Sequence, residues 1–241
     1  MLSIENLQEF TDTYQTSLGN VVREYCQHLF LSYLYQQPGS ERLLFKGGTA
    51  LRIVFRSPRF SEDLDFTGVN IIHHEIEDIF GNTLANVEKT GILVELEESK
   101  KTTGGFLGIA SFHAYDQKIE IKIEISLRQG KASEGVRAVV QSDYLPPYSL
   151  VHLPTEVLIQ GKLDALFARQ KSRDFYDYFY LLSGNYPIVK GKEHLTHTLE
   201  LLRASRINFR KELREFLPKS HAMHLRDFKK VLGDKIKTYI G

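Results

Sequence analysis

At 241 residues, 25% charged and 42% hydrophobic, the chain has an ordinary globular composition, long enough for one large domain or two small ones. The formal net charge of +1 conceals an asymmetry, because residues 200–241 hold 11 Lys and Arg against 5 Asp and Glu, a net of +6, which leaves the first 199 residues at −5. A single cysteine, Cys26, excludes an intramolecular disulfide and fits a reducing compartment. The lack of a signal-peptide pattern and of any apolar run near about 18 residues predicts a cytoplasmic protein with no membrane span.

Residues 3–37 read as two helices divided near Gly19, the second carrying a packing stripe of Val22, Cys26, Leu29, Phe30, Tyr33 and Leu34. Pro38 and Gly39 end it. Leu43, Leu44 and Phe45 then form a short buried strand running into Lys46-Gly47-Gly48-Thr49, after which Ala50, Leu51, Ile53, Val54 and Phe55 read as helical. Strand, glycine turn and helix start follow in order. Glycines let backbone approach an anion closely, a helix start offers unpaired N–H groups, and Thr49 adds a hydroxyl donor, so this turn suits a phosphate.

Asp63-Leu64-Asp65-Phe66 reads as the next strand, which places Asp63 and Asp65 on one side and Leu64 and Phe66 on the other. Two carboxylates about 5 Å apart repel by roughly 3 kcal/mol at an effective dielectric of about 20, which favours a shared proton or a cation. Oxygen-only ligands on a short strand suit Mg²⁺, with Mn²⁺ as the alternative. Taken singly, an Asp-x-Asp is commonly a solvated strand face and a Gly-Gly a tight turn. In combination they describe a site for a metal and a nucleotide.

Beyond Gly68, which closes that strand, residues 72–87 read as an amphipathic helix, and 92–98, 106–115 and 118–127 as strands, with a turn at Gly104-Gly105. Ile119, Ile121, Ile123 and Ile125 occupy one face of the last strand, and Glu120, Lys122 and Glu124 the other. Pro146-Pro147 marks the expected boundary between domains of residues 1–147 and 148–241. Pro154 fits the start of a helix, and 161–182 is helical, with Lys162, Arg169 and Arg173 within about 40° of one another if the helix is continuous. Those cations have Asp164, Asp174 and Asp177 as natural partners. Residues 191–240 read as further helices; the pairs His194/His197 and His221/His224 lack a third ligand for zinc. The whole is α+β.

Gly47-Gly48 followed by Asp63-x-Asp65 resembles the signature of DNA polymerase beta type nucleotidyltransferases. Adding Thr49-Ala50-Leu51 and Arg59-x-Ser61, the stretch is similar to the AbiEii/AbiGii toxin family. The resemblance covers about residues 40–182. It implies a nucleotidyltransferase mixed sheet with flanking helices and then a helical C-terminal domain, in a toxin acting beside an antitoxin. It further implies Mg²⁺-dependent transfer of NMP from an NTP to an acceptor hydroxyl with release of pyrophosphate. Asp63 and Asp65 would bind the metal, and Glu124, with Glu120 behind it, would be the third carboxylate. Gly47, Gly48, Thr49 and Ser61 would hold the triphosphate. Lys122 resembles the lysine of the family's second motif. Lys162 with Arg173-Asp174-x-x-Asp177 resembles its C-terminal motif, in which either Asp174 or Asp177 is the functional acid. Related toxins modify RNA, particularly tRNA ends, which agrees with the basic tail. A small-molecule nucleotidyltransferase and a noncatalytic nucleotide-binding regulator are the two alternative readings.

Overall fold

The computed structural model describes residues 1–128, 134–184 and 186–240. The chain divides into two units, one made of Met1–Arg56 and Phe60–Pro154, the other of Ser57–Arg59 and Thr155–Gly241.

The first unit is built on a seven-stranded mixed sheet. Its strands are β1 (Leu43–Lys46), β2 (Leu64–Val69), β3 (Leu93–Thr102), β4 (Gly105–Ala114), β5 (Gln117–Arg128), β6 (Val136–Val140) and β7 (Tyr148–His152), in the order β3-β4-β5-β2-β1-β7-β6. β2 runs parallel to β5 and β1 parallel to β7, and the remaining neighbours are antiparallel. The isoleucine alternation of β5 is realised as read: Ile119, Ile121, Ile123 and Ile125 are all buried, whereas Glu120 and Glu124 are exposed. Helices α1 (Ile4–Thr13), α2 (Leu18–Leu34), α3 (Gly47–Ile53) and α4 (His73–Glu88) complete the unit. α2 packs on α4, and the ring chain Phe30–Phe80–Phe106, with centroids 5.7 and 5.8 Å apart, joins these helices to β4. Each such fully buried ring contributes roughly 2–3 kcal/mol of apolar burial.

Three expectations change. The division of the N-terminal helices falls at residues 14–17, where Gln15 adopts φ 52° and Ser17 caps α2 through the Asn20 N–H; Gly19 lies inside the first turn of α2. Strands β6 and β7 were not foreseen, because both are short and sit among proline-rich sequence that reads as linker. For the same reason the division between units follows Pro154 rather than Pro147: β7 pairs with β1 at Phe45↔His152 and with β6, so its residues belong to the sheet.

The second unit is helical, with α5 (Thr155–Arg169), α6 (Ser172–Ser183), α7 (Lys192–Ala204), α8 (Phe209–Leu213), α9 (Ala222–Arg226) and α10 (Phe228–Ile240). Residues 161–182 are not one helix, since Gln170 takes φ 51° and breaks the chain between α5 and α6. Phe175, Phe209 and Phe228 form its aromatic core, with centroids 5.6 and 5.0 Å apart along that series. Among the described residues, no helix is long and apolar enough to cross a membrane.

Candidate active site

The register of the sheet assembles the site of the first unit. β1 and β2 pair Lys46 with Asp65, and β2 and β5 pair Asp65 with Glu124, so three charged residues lie side by side across adjacent strands. Asp63, just before β2, and Asp65 both help hold the Lys122 ammonium above its ordinary pKa, after the dominant hydrogen bond that Lys122 donates to Glu124 and against a smaller desolvation effect. Lys122 and Glu124 form an ion pair on the open face of β5. The carboxylates therefore share one cationic neighbour.

Gly47 shows why the glycine is needed. It adopts φ +84°, and a Cβ there would overlap Oδ2 of Asp65, so the Asp65 carboxylate packs against bare backbone at the start of α3. Thr49, expected to donate to a phosphate, is fully buried and donates its hydroxyl to the Asp63 carbonyl. Its hydroxyl is thus engaged in fixing the segment that carries the first carboxylate. Ser61 lies in that segment as well. The carbonyls of Ser61 and Glu62 accept from the side-chain amide of Gln27 at 3.0 and 2.9 Å, which anchors the approach to β2 on α2.

The donor chemistry fits a hard divalent cation at Asp63 and Asp65, which such an ion binds readily through one or two carboxylates. Among the described residues, no three His, Cys, Asp or Glu side chains are grouped to hold a metal. Glu124 faces Lys122 instead, so it would join a metal only by leaving that pair. Glu120 is exposed and registers with Ser111 of β4, further along β5.

In the second unit, Asp177 accepts from Arg59 Nε at 2.8 Å and Nη2 at 3.0 Å, and from Lys162 Nζ at 2.8 Å. The three side chains are 2%, 5% and 10% exposed. Burial pushes the Asp177 carboxyl upward, but Arg59 and Lys162 outweigh it and hold the pKa down to about 2. Asp174 is equally buried yet does other work. It accepts the Lys171 backbone N–H at 3.0 Å at the start of α6 and pairs with Arg169 Nη2 at 2.7 Å. Among the described residues, Arg173 joins neither acid, and its buried Nε has no hydrogen-bond partner. The break at Gln170 thus separates Arg173 from Lys162 and Arg169, which a continuous helix would have aligned with it.

Reading the sequence missed three contributors. Lys46 stands beside Asp65 and donates to Ser126 Oγ at 3.2 Å; its place directly before the glycine pair was the available signal. Gln27 and the pairing of Arg59 with Asp177 had no local signal, since each partner lies 34 or more residues away.

A family model described as "Nucleotidyl transferase AbiEii toxin, Type IV TA system" matches residues 29–237. No curated protein matches the chain. Among solved structures, JHP933 from Helicobacter pylori is similar with a TM-score of 0.59 at 21% identity, covering 93% of each chain. A second H. pylori protein, provisionally called a nucleotidyltransferase, is similar at 0.59 and 19% identity over 99% of this chain and 96% of its own. At these identities the likeness shows the fold.

Proposed function

The chain belongs to the AbiEii nucleotidyl transferase toxin family of type IV toxin–antitoxin systems, which implies an antitoxin partner, and from that premise we propose that it transfers NMP from an NTP to a hydroxyl of RNA, a tRNA end in particular. The observation that carries the reading is the register that sets Asp65 beside Glu124 while Gly47 leaves room for the Asp65 carboxylate.

Asp63 and Asp65 would hold Mg²⁺, or Mn²⁺ in its place. A bound ion of this kind polarises the phosphoryl oxygens and neutralises the charge that builds on the departing pyrophosphate. The backbone N–H groups of Gly47 and Gly48, with the Ser61 side chain, orient the triphosphate for in-line attack. Lys122 places positive charge beside the two aspartates, where it stabilises negative charge that develops in the transition state. Glu124, released from Lys122 by the arriving triphosphate, accepts the proton of the acceptor hydroxyl. Asp177 is the functional acid of the C-terminal motif: it fixes the position of the Lys162 ammonium through their ion pair. Asp174 is the cap of α6.

The test incubates the purified chain with Mg²⁺, each labelled NTP in turn and total RNA, beside Asp65→Ala. Label should enter RNA with one NTP preferred, and both the substitution and EDTA should reduce transfer by more than about 100-fold. Equal transfer by the variant, or label found only in small molecules, would sink the reading.

A further inference from the structure

The basic tail has a shape that composition does not reveal. Between the α7–α8 turn and the start of α10 lies an open cavity of about 610 Å³ whose rim carries Arg206, Arg210, Arg226, Lys229 and Lys230, with Asp227 as the one acid among its lining residues. Lys229, though exposed, donates to the carbonyls of Arg203 and Ser205 at 2.9 and 2.8 Å, and so fixes the turn. Arg206, Arg210, Arg226 and Lys230 are exposed, and no carboxylate among the described residues forms an ion pair with any of them. Four like charges held around one concavity repel one another, which favours a polyanion in the space between them.

The floor narrows the identity of that polyanion. Phe209 and Phe228 are 5% and 1% exposed, stacked into the core of the unit, so no aromatic face is offered for an unpaired base to stack on. Single-stranded nucleic acid sites depend on such faces. Three of the four uncompensated cations are arginines, whose planar fork matches phosphate oxygens in pairs. The groove therefore has the means to grip a sugar–phosphate backbone and no aromatic face on which to stack an unpaired base.

We propose that this groove binds the phosphate backbone of a base-paired RNA segment. The proposal rests on the reading of RNA as acceptor, and it refines the contribution of the basic tail from net charge to four particular side chains.

The experiment measures binding rather than transfer, so that it stands apart from the chemistry. A fluorescent RNA hairpin is titrated with the full chain over a series of KCl concentrations. The same is done with Arg206→Gln/Arg210→Gln/Arg226→Gln/Lys230→Gln, and with a control of equal charge loss in the same tail but off the groove, Arg203→Gln/Lys211→Gln/Arg214→Gln/Lys219→Gln. Circular dichroism establishes that each variant is folded, and Asp65→Ala should bind the hairpin as the parent does. The groove variant should lower the magnitude of the slope of log K against log salt by about 3 to 4, and the control by less than about 1. An equal loss in both variants would reduce the groove to bulk charge and overturn the proposal. So would an unchanged slope in the groove variant, or tighter binding of polyglutamate than of the hairpin, which would identify an acidic protein as the occupant.

Discussion

Gly47 and Asp65 constrain each other more tightly than any other pair in the candidate site. Because a Cβ at Gly47 would overlap Asp65 Oδ2 and the backbone there is left-handed, Gly47→Ala should displace the carboxylate by about an ångström and lower nucleotidyl transfer by about 100-fold. Comparing kcat of the variant with that of the parent checks this, and a variant of full activity would show that Asp65 has no need of the bare backbone. Asp177 governs the second unit in the same manner. Its removal leaves the Arg59 guanidinium buried without its bidentate partner, so Asp177→Asn should destabilise by about 3–5 kcal/mol in chemical denaturation. Both aspartates were legible in the sequence, because acids in a motif stand out whatever their surroundings. Thr49 was legible too, but its role was not: only packing shows that its hydroxyl is turned to the Asp63 carbonyl.

Among the elements, β5 was readable from a strict period of two, since one buried face requires one apolar residue in every pair. The α5–α6 segment was readable as helical but the place of its break was not, because Gln170 is neither Gly nor Pro and gives no sign of its φ of 51°. Asp174 starts the second helix by accepting the Lys171 N–H, and also holds Arg169 across the break. Asp174→Ala should therefore lower the stability of the second unit by about 1–3 kcal/mol through loss of the cap and of a charged hydrogen bond, while Asp174→Asn should recover part of it. Denaturation midpoints of the two variants decide this. Strands β6 and β7 escaped notice because each has only five residues and takes its stability from pairing along the sheet rather than from its own pattern.

At the scale of the molecule, the two units differ in charge and should differ in acid stability. The second unit, residues 57–59 and 155–241, holds 18 Lys and Arg against 10 Asp and Glu, a net of +8, so the formal total of +1 leaves the first at −7. In the first unit, burial pushes the His28 imidazole down to about 4, with Nδ1 at 2.8 Å from the Tyr148 hydroxyl. The folded state thus binds the proton less readily than the unfolded chain, whose value is 6.5, and stability falls as pH drops from 6.5 towards 4. In the second unit Asp177 lies at about 2 in the folded state against 3.8, so its contribution is complete above 3.8 and is lost as pH falls through about 2. The first unit should accordingly lose protection at a higher pH than the second. Peptide-resolved hydrogen exchange between pH 7 and pH 2 checks the order, and the reverse order would refute it. His28→Gln should flatten the dependence of the first unit between 6.5 and 4.

Taken alone, the sequence determined the family, the α+β class, the Asp63-x-Asp65 pair, the partner strand β5 and the helical character of the C-terminal part, because each is written in residues close to one another along the chain. The tertiary structure decided what depends on distant segments meeting: the Asp65–Glu124 register, the Lys122–Glu124 pair, the different partners of Asp174 and Asp177, and the division after Pro154. Periodicity reports which face of an element is buried, whereas register and buried ion pairs are set by where the chain returns, and that is a property of the whole packing.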